Sequence, residues 1–417
     1  MNTPAYAGSA ISNHGIAERG IADPPIDALA PAESVSSGAR PDVLFVLNNL
    51  GFGGSERKIV RLANRMKDEG VHVSLACMNG PYTLEPGIRR DLPLEKLERR
   101  GKFSFATLWK LRQMLLREQP PTVIAVNLYQ ALYVALARVA LPYRPRIVAL
   151  VNTSTFLGSS AIKRLYRFVL GRFDQIVHGS EAQRAFWFRP GTRAWDHSSI
   201  IYNGVDSDHF EMTGSFEAAK RLRAALGVKP ESLLIGTVGM CRPEKNQEVL
   251  LTTLRRLRVT GLDAHLVIAG DGPMRSFLER RARELEVSHR VSFVGAVEDV
   301  RPVLAALDIF VLPSIAVESF SNAALEAMSM GRPVILSDIG GAREMIQEGV
   351  EGYVVNPTEL AARLPALIAA LYADRRKRQH MGQAARNRAV TCFSVPAMVA
   401  GYRGLMHGES GCGGDAR

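Results

Sequence analysis

Two carboxylates eight positions apart, Glu318 and Glu326, bracket the segment Ser319-Phe320-Ser321-Asn322-Ala323-Ala324-Leu325. Ser321 or Asn322 can cap a helix that runs on to Met330, and Gly331-Arg332-Pro333 ends it. Glu318 then lies in the loop before the helix and Glu326 about one turn inside it. The backbone amides of Phe320, Ser321 and Asn322 are left without helical partners, an arrangement that favours phosphate. A carboxylate beside a phosphate repels it, so the two glutamates suit neutral groups, and sugar hydroxyls fit. The phosphate charge still needs cations. Arg242 and Lys245, in Gly239-Met240-Cys241-Arg242-Pro243-Glu244-Lys245-Asn246, supply a two-pronged guanidinium and a point charge. Together they can neutralise a diphosphate leaving group as its charge develops, without a metal. Gly270-Asp271-Gly272-Pro273 is a third turn at the same edge, and by itself it carries no chemistry.

A second cluster lies near the start of the chain. In Leu50-Gly51-Phe52-Gly53-Gly54-Ser55-Glu56 the glycines Gly53 and Gly54 let backbone approach a ligand, with Ser55 as the expected N-cap of the following helix. A dinucleotide fingerprint would need GxGxxG and an acidic residue about 20 positions on. Here Glu56 takes the last glycine's place, and the strand Val71–Cys77 ends in Met78-Asn79. That counts against an oxidoreductase. The four cysteines, Cys77, Cys241, Cys392 and Cys412, are far apart, with no CxxC and no zinc-like His spacing, so no metal site is expected and a reducing cytoplasm is the natural setting. His178 and His197 read as structural or exposed.

The elements that must position these residues are short apolar runs alternating with amphipathic helices. Val43–Leu47, Val71–Cys77, Val123–Val126, Ile147–Val151 and Gln175–His178 form one series of strands. The pattern pauses at Tyr202-Asn203-Gly204-Val205-Asp206 and restarts with Leu233–Val238, His265–Ala269, Arg290–Val294, Ile309–Leu312 and Pro333–Leu336. Such alternation predicts an α/β fold of two doubly wound, Rossmann-like domains, with ligands at the carboxyl ends of the strands and the site in the cleft between domains. The expected division is a disordered tail over 1–40, a first domain over 41–208, a second over 209–390, and over 391–417 a helix crossing back plus a tail. The tail is rich in Ala, Gly, Ser and Pro and lacks periodicity. Thr122 to Tyr143 is the most apolar stretch, but Asn127, Gln130 and Arg138 break it, so it reads as a buried strand and helix rather than a membrane span.

The net charge of +11 sits mainly in the first half, where residues 41–210 hold 24 basic and 14 acidic side chains. Arg99-Arg100-Gly101-Lys102-Phe103, Trp109-Lys110-Leu111-Arg112 and Lys163-Arg164-Leu165-Tyr166-Arg167-Phe168 mix cations with aromatics. Basic amphipathic helices of this kind suit an anionic membrane surface, the alternative being a solvated face. No nucleic-acid motif accompanies them, so nucleic acid is not an expected partner.

Six blocks occur in order: Gly239…Arg242-Pro243-Glu244-Lys245, Ala269-Gly270-Asp271-Gly272-Pro273, Phe293-Val294-Gly295, Asp308 to Ser314, Glu318-x7-Glu326-Ala327-Met328 and Gly331-Arg332-Pro333-Val334-Ile335. This order resembles the retaining glycosyltransferases of family 4 (glycosyl transferases group 1), which have the GT-B fold. The resemblance implies that Glu318 contacts hydroxyls of the donor sugar and Glu326 the ribose. It implies that Arg242 and Lys245 hold the diphosphate, that the backbone at Phe320, Ser321 and Asn322 meets phosphates and sugar, and that the backbone at Val297 reads the base. Gly53 and Gly54 match a loop facing donor phosphate and acceptor. Ser180-Glu181 matches a Ser-Glu that starts a helix at the cleft edge. The family usually has Gly where this chain has Ser319, which puts the loop's shape in question. It often has His near the donor sugar where this chain has Asn152, which cannot act as a general base. The implied protein is a cytoplasmic, metal-independent hexosyltransferase at the inner face of the plasma membrane. No cofactor is expected beyond a UDP-sugar as donor substrate. The implied acceptor is a lipid-linked or polysaccharide glycan of cell-envelope or exopolysaccharide synthesis. Two other readings share the architecture: a nucleotide-sugar epimerase, whose own motifs are not evident, and a non-catalytic nucleotide-binding partner of a polysaccharide assembly.

Overall fold

Runs that are apolar at every position, such as Val43–Leu47 and Ile309–Leu312, suit strands covered on both faces, and both are buried throughout. The computed structural model describes residues 40–408 except Phe52, Lys102 and 153–159. The expected tail over 1–40, apart from Arg40, therefore falls outside the described residues, as does the end of the chain with Cys412. In chain order the first sheet contains β1 (Val43–Leu47), β2 (Val73–Cys77), β3 (Leu94–Lys96), β4 (Thr122–Val126), β5 (Arg146–Val151), β6 (Gln175–His178) and β7 (Ser198–Ile200). The second contains β8 (Leu233–Val238), β9 (Ala264–Ala269), β10 (Val291–Gly295), β11 (Ile309–Leu312), β12 (Val334–Ser337) and β13 (Gly352–Val355). All pairings between these strands are parallel, in the orders β3-β2-β1-β4-β5-β6-β7 and β10-β9-β8-β11-β12-β13. Each sheet is doubly wound and Rossmann-like, and the strand order reverses between β1 and β4 and between β8 and β11. Those two reversals open the crevices where such folds bind ligands.

Three strands escape the sequence pattern: β3 and β7, which form the two edges of the first sheet, and β13, an edge of the second. The strand expected to begin at Val71 begins at Val73, because Gly70 and Val71 close the preceding helix with bonds to Lys67 and Met66. The stretch from Thr122 resolves into β4 and the helix Leu128–Ala137, whose inner face packs under the first sheet.

The last helix, Val395–His407, is capped by Ser394 and buries Val395, Met398, Val399, Tyr402 and Leu405 in the core under the first sheet. Burying apolar side chains of this size is worth roughly 1.5–3 kcal/mol each. The chain thus returns to its first half. Where it crosses, Val205 is bonded on both sides to the returning chain, its amide to Phe393 O at 2.8 Å and its carbonyl accepting from the Val395 amide at 3.1 Å. Gly204 is needed for this approach, since a Cβ there would lie 2.7 Å from the Ser394 carbonyl oxygen. The described residues form one compact unit.

Candidate active site

The strand-order reversals select four loops. After β1 comes the Gly51–Gly54 loop, after β4 Asn127, after β8 the loop with Arg242 and Lys245, and after β11 the segment from Pro313 to Asn322. Every loop that the residue types singled out for chemistry lies on one of these four ends or on an immediate neighbour.

Glu318 and Lys245 meet directly. The Lys245 ammonium is paired with Glu318 Oε1, and Ser314 Oγ donates to the same oxygen at 2.9 Å. Both charged side chains are largely buried, with 13% and 23% of their surfaces exposed. Arg242 lies at the head of the short turn Pro243–Lys245 with half its side chain open, and Glu244 is 3.8 Å from its guanidinium. The two loops are tied by the Ile315 amide, which donates to Glu244 O at 2.8 Å. The Gly270–Gly272 turn braces the cation loop from behind, with the Cys241 amide on Asp271 O and the Met274 amide on Cys241 O, both at 2.9 Å.

The helix after Glu318 spans Asn322–Ser329, and Ser321 is its cap, Oγ accepting from the Ala324 amide at 3.3 Å. Among the described residues the amides of Phe320, Ser321 and Asn322 have no acceptor, so a row of donors stands open beside Lys245's partner Glu318. Phe320 itself is a core residue. Its ring packs on Tyr202 and Phe393, with centroids 4.8 and 5.1 Å away, and its carbonyl accepts from Asn203 Nδ2 at 2.7 Å. Asn322 crosses the cleft, its Nδ2 donating to Gly54 O at 3.0 Å. Gly53 and Gly54 therefore stand directly opposite the helix start.

Ser55 is not the N-cap. Gly53 holds that position in an extended conformation, the helix begins at Gly54, and Ser55 is already in its first turn. The Glu56 carboxylate folds back so closely over Gly53 that a Cβ there would lie 1.9 Å from Glu56 Oε2. Ser319 does not adopt a positive φ either. The left-handed residue of the segment is Val317, at φ 59°. The glycine requirement has moved to Gly340, also at φ 59°, which packs under the segment: a Cβ there would meet Glu318 O at 2.4 Å and Ser319 O at 2.6 Å. The Gly341 amide donates to Ser319 O at 2.7 Å.

Glu326 lies one turn on from Asn322 on the same face of the helix, 12% exposed, with Arg61 of the first helix 3.9 Å away. Burial raises its carboxyl to about 7, against the pull of Arg61 and Arg57. Val297 follows β10, its side chain against the core, and neither its amide nor its carbonyl is bonded among the described residues. On the first-sheet side, Asn152 directly follows β5 and its Oδ1 accepts from Lys58 Nζ at 3.0 Å. His178 is fully buried beside Phe188, with its pKa pushed down to about 3 by burial and by Arg184. His197 is exposed, away from the cleft loops. Ser180 caps its helix, and Glu344 of the second half accepts from the Glu181 and Ala182 amides at 2.8 and 3.0 Å and from Tyr202 Oη at 3.1 Å. Arg61, Glu344, Gly340 and Lys58 were not legible as site residues; each gains its place through a partner more than 20 positions away.

The sequence pattern described as Glycosyl transferases group 1 matches residues 219–388, and that described as Glycosyltransferase Family 4 matches 52–209. The chain belongs to the family 4, group 1 glycosyltransferases. A glycosyltransferase of Methanocaldococcus jannaschii is 35% identical over 171 residues, 40% of this chain but only 43% of that protein. The lipopolysaccharide core biosynthesis glycosyltransferase LpsE of Rhizobium meliloti is 26% identical over 365 residues, 85% of this glycosyltransferase and 96% of LpsE. Among solved structures, Anabaena HepE in complex with UDP superposes with a TM-score of 0.78 at 22% identity, covering 88% of this chain and all of that one. That likeness establishes the GT-B fold.

Proposed function

We propose that this glycosyltransferase moves a hexose, with retention of anomeric configuration, from a nucleoside diphosphate sugar to a lipid-linked or polysaccharide acceptor. The observation that carries the proposal is the contact between Glu318 and Lys245 beside the open amides of Phe320 to Asn322. A diphosphate against those amides offers Lys245 a stronger partner than Glu318. Its arrival draws the ammonium away and leaves the Glu318 carboxylate to accept from sugar hydroxyls. Arg242 completes the cationic side, so the leaving diphosphate is stabilised by two side chains and a helix start, and the proposal invokes no metal. Glu326, deep in the same crevice, accepts from the ribose, and the open backbone at Val297 meets the base. Asn152 cannot take a proton, so the acceptor's proton passes to the departing diphosphate oxygen. As the bond from the anomeric carbon to that oxygen breaks, the bond to the acceptor oxygen forms on the same face.

A UDP-sugar donor is supported by HepE, whose solved complexes hold UDP and UDP-glucose. A cell-envelope acceptor is supported by the lipopolysaccharide core biosynthesis roles in the names of LpsE and of the R. meliloti mannosyltransferase LpsB. Peripheral membrane contact is supported by the first half's surface. Phe105, Trp109 and Phe168 are 79, 62 and 61% exposed, and Arg172 stacks on Phe168 at 3.4 Å, whereas Phe173 turns into the core. Among the described residues no helix is long and apolar enough to cross a membrane.

The test is transfer by Glu318→Ala and Asn152→Ala, with the product's anomeric configuration read by proton NMR. Glu318→Ala should cost turnover at least ten times more than Asn152→Ala, and the product should keep the donor's configuration. Equal, small losses, or an inverted product, would contradict the assignment.

A further inference from the structure

Lys58 is a buried cation that the proposed chemistry leaves without a task. It lies in the second turn of the first helix, 4% exposed, and no carboxylate pairs with it among the described residues. Burial alone lowers its pKa to about 8, so folding carries a cost for keeping it charged. Its ammonium donates to Asn152 Oδ1 at 3.0 Å. An ammonium has donors only, so the amide must turn its oxygen towards Lys58 and its Nδ2 away. That Nδ2 is buried and has no partner among the described residues. The Asn152 backbone is pinned as well, its amide donating to Asn127 Oδ1 at 3.2 Å. Asn127 and Asn152 stand at the carboxyl ends of β4 and β5, beside the strand-order reversal, and Lys58 is one turn on from Gly54, which meets Asn322 across the cleft.

We infer that Lys58 is a positioning residue: it locks the Asn152 amide so that Nδ2 faces the cleft as a donor to an oxygen of the transferred sugar. The inference rests on the nucleotide-sugar reading above. It gives Asn152 a fixed polarity, donor and not acceptor. An unconstrained asparagine would present either end of its amide.

The experiment uses the full chain and the variants Lys58→Met, Asn152→Ala and their double, titrated with UDP, GDP, UDP-glucose and GDP-mannose. The thermal midpoint of Lys58→Met should be unchanged or higher, because a buried cation without a counter-ion is replaced by an apolar chain of similar volume. UDP or GDP affinity should stay within about twofold of the parent's in all three variants, because the nucleotide does not touch Asn152. Affinity for the sugar nucleotide, and kcat/KM for it, should fall about tenfold in each single variant. The double variant should be no worse than either single, because Lys58 acts only through Asn152. Losses that multiply in the double variant, or equal weakening of nucleotide and sugar nucleotide, would overturn the inference. So would parent-like sugar-nucleotide binding by Lys58→Met. If the parent binds neither nucleotide, the donor reading falls first and the inference with it; parent binding that Lys58→Met leaves intact removes the inference alone.

Discussion

Glu318 and Glu326 belong to one short segment and meet opposite environments. Glu318 accepts from a lysine and a serine; Glu326 is buried with an arginine 3.9 Å away, and its pKa rises to about 7. Their spacing was readable because helix geometry turns eight positions into a loop residue and a residue one turn inside. Their partners were not readable. Lys58 and Arg61 have the types of ordinary helix-surface residues, and only the packing of the first helix turns them towards Asn152 and Glu326. The Glu326 shift has a measurable sign. With its folded pKa above the ordinary carboxyl value of 4.5, Glu326 takes up a proton on folding. Its contribution to stability is full below about pH 4.5 and is lost as pH rises through 7, a loss of up to roughly 3 kcal/mol at about 1.4 kcal/mol per pH unit. Glu326→Gln should therefore gain stability over the parent progressively between pH 5 and 8 in urea unfolding. A difference that stays constant over that range would contradict the burial argument.

At the scale of elements, the central strands and the edge strand β10 were legible, and the edges β3, β7 and β13 were not. β1, β8 and β11 are apolar at nearly every position, whereas β3 is Leu-Glu-Lys and β7 Ser-Ser-Ile, edge segments with too little apolar sequence to register. The loops were legible as turns and less so in detail. The backbone freedom expected at Ser319 is supplied by Gly340, 21 positions on, after β12. Gly340→Ala forces a Cβ into the Glu318 and Ser319 carbonyls at a left-handed φ. The expected cost is roughly 1–3 kcal/mol, and donor binding should weaken with it. Gly227→Ala has the same backbone sign, φ 64°, but nothing within 4 Å of the added carbon. It should cost about 1–2 kcal/mol from the backbone alone and leave donor binding intact. Urea unfolding and donor titration of both variants separate the two effects, and equal donor binding would show that the Gly340 contact does not hold the segment.

Over the whole molecule, the two sheets are joined by polar contacts that no local pattern announces: Asn322 on Gly54, Asn203 on Phe320, and Glu344 on the helix at Glu181. The returning helix from Val395 adds its apolar face to the first sheet's core. The charge excess of the first half, by contrast, was legible from composition alone. On the membrane proposal, the protein should co-sediment with phosphatidylglycerol vesicles far more than with phosphatidylcholine vesicles. Salt should weaken that binding, and Phe168→Ser with Trp109→Ser should reduce it several-fold. Binding indifferent to lipid charge would contradict it.

The central claim, that the segment from Glu318 to Glu326 and the cations of the β8 loop hold a nucleoside diphosphate sugar, is tested most directly by one binding measurement. The parent protein and an Arg242→Ala/Lys245→Ala variant are titrated calorimetrically with UDP, GDP and their sugars, with NAD as the control dinucleotide. The account predicts that the parent binds one nucleoside diphosphate and its sugar, that the variant loses at least tenfold in affinity for both, and that NAD does not bind. Binding of NAD alone, or undiminished binding of the nucleotide by the variant, would contradict it.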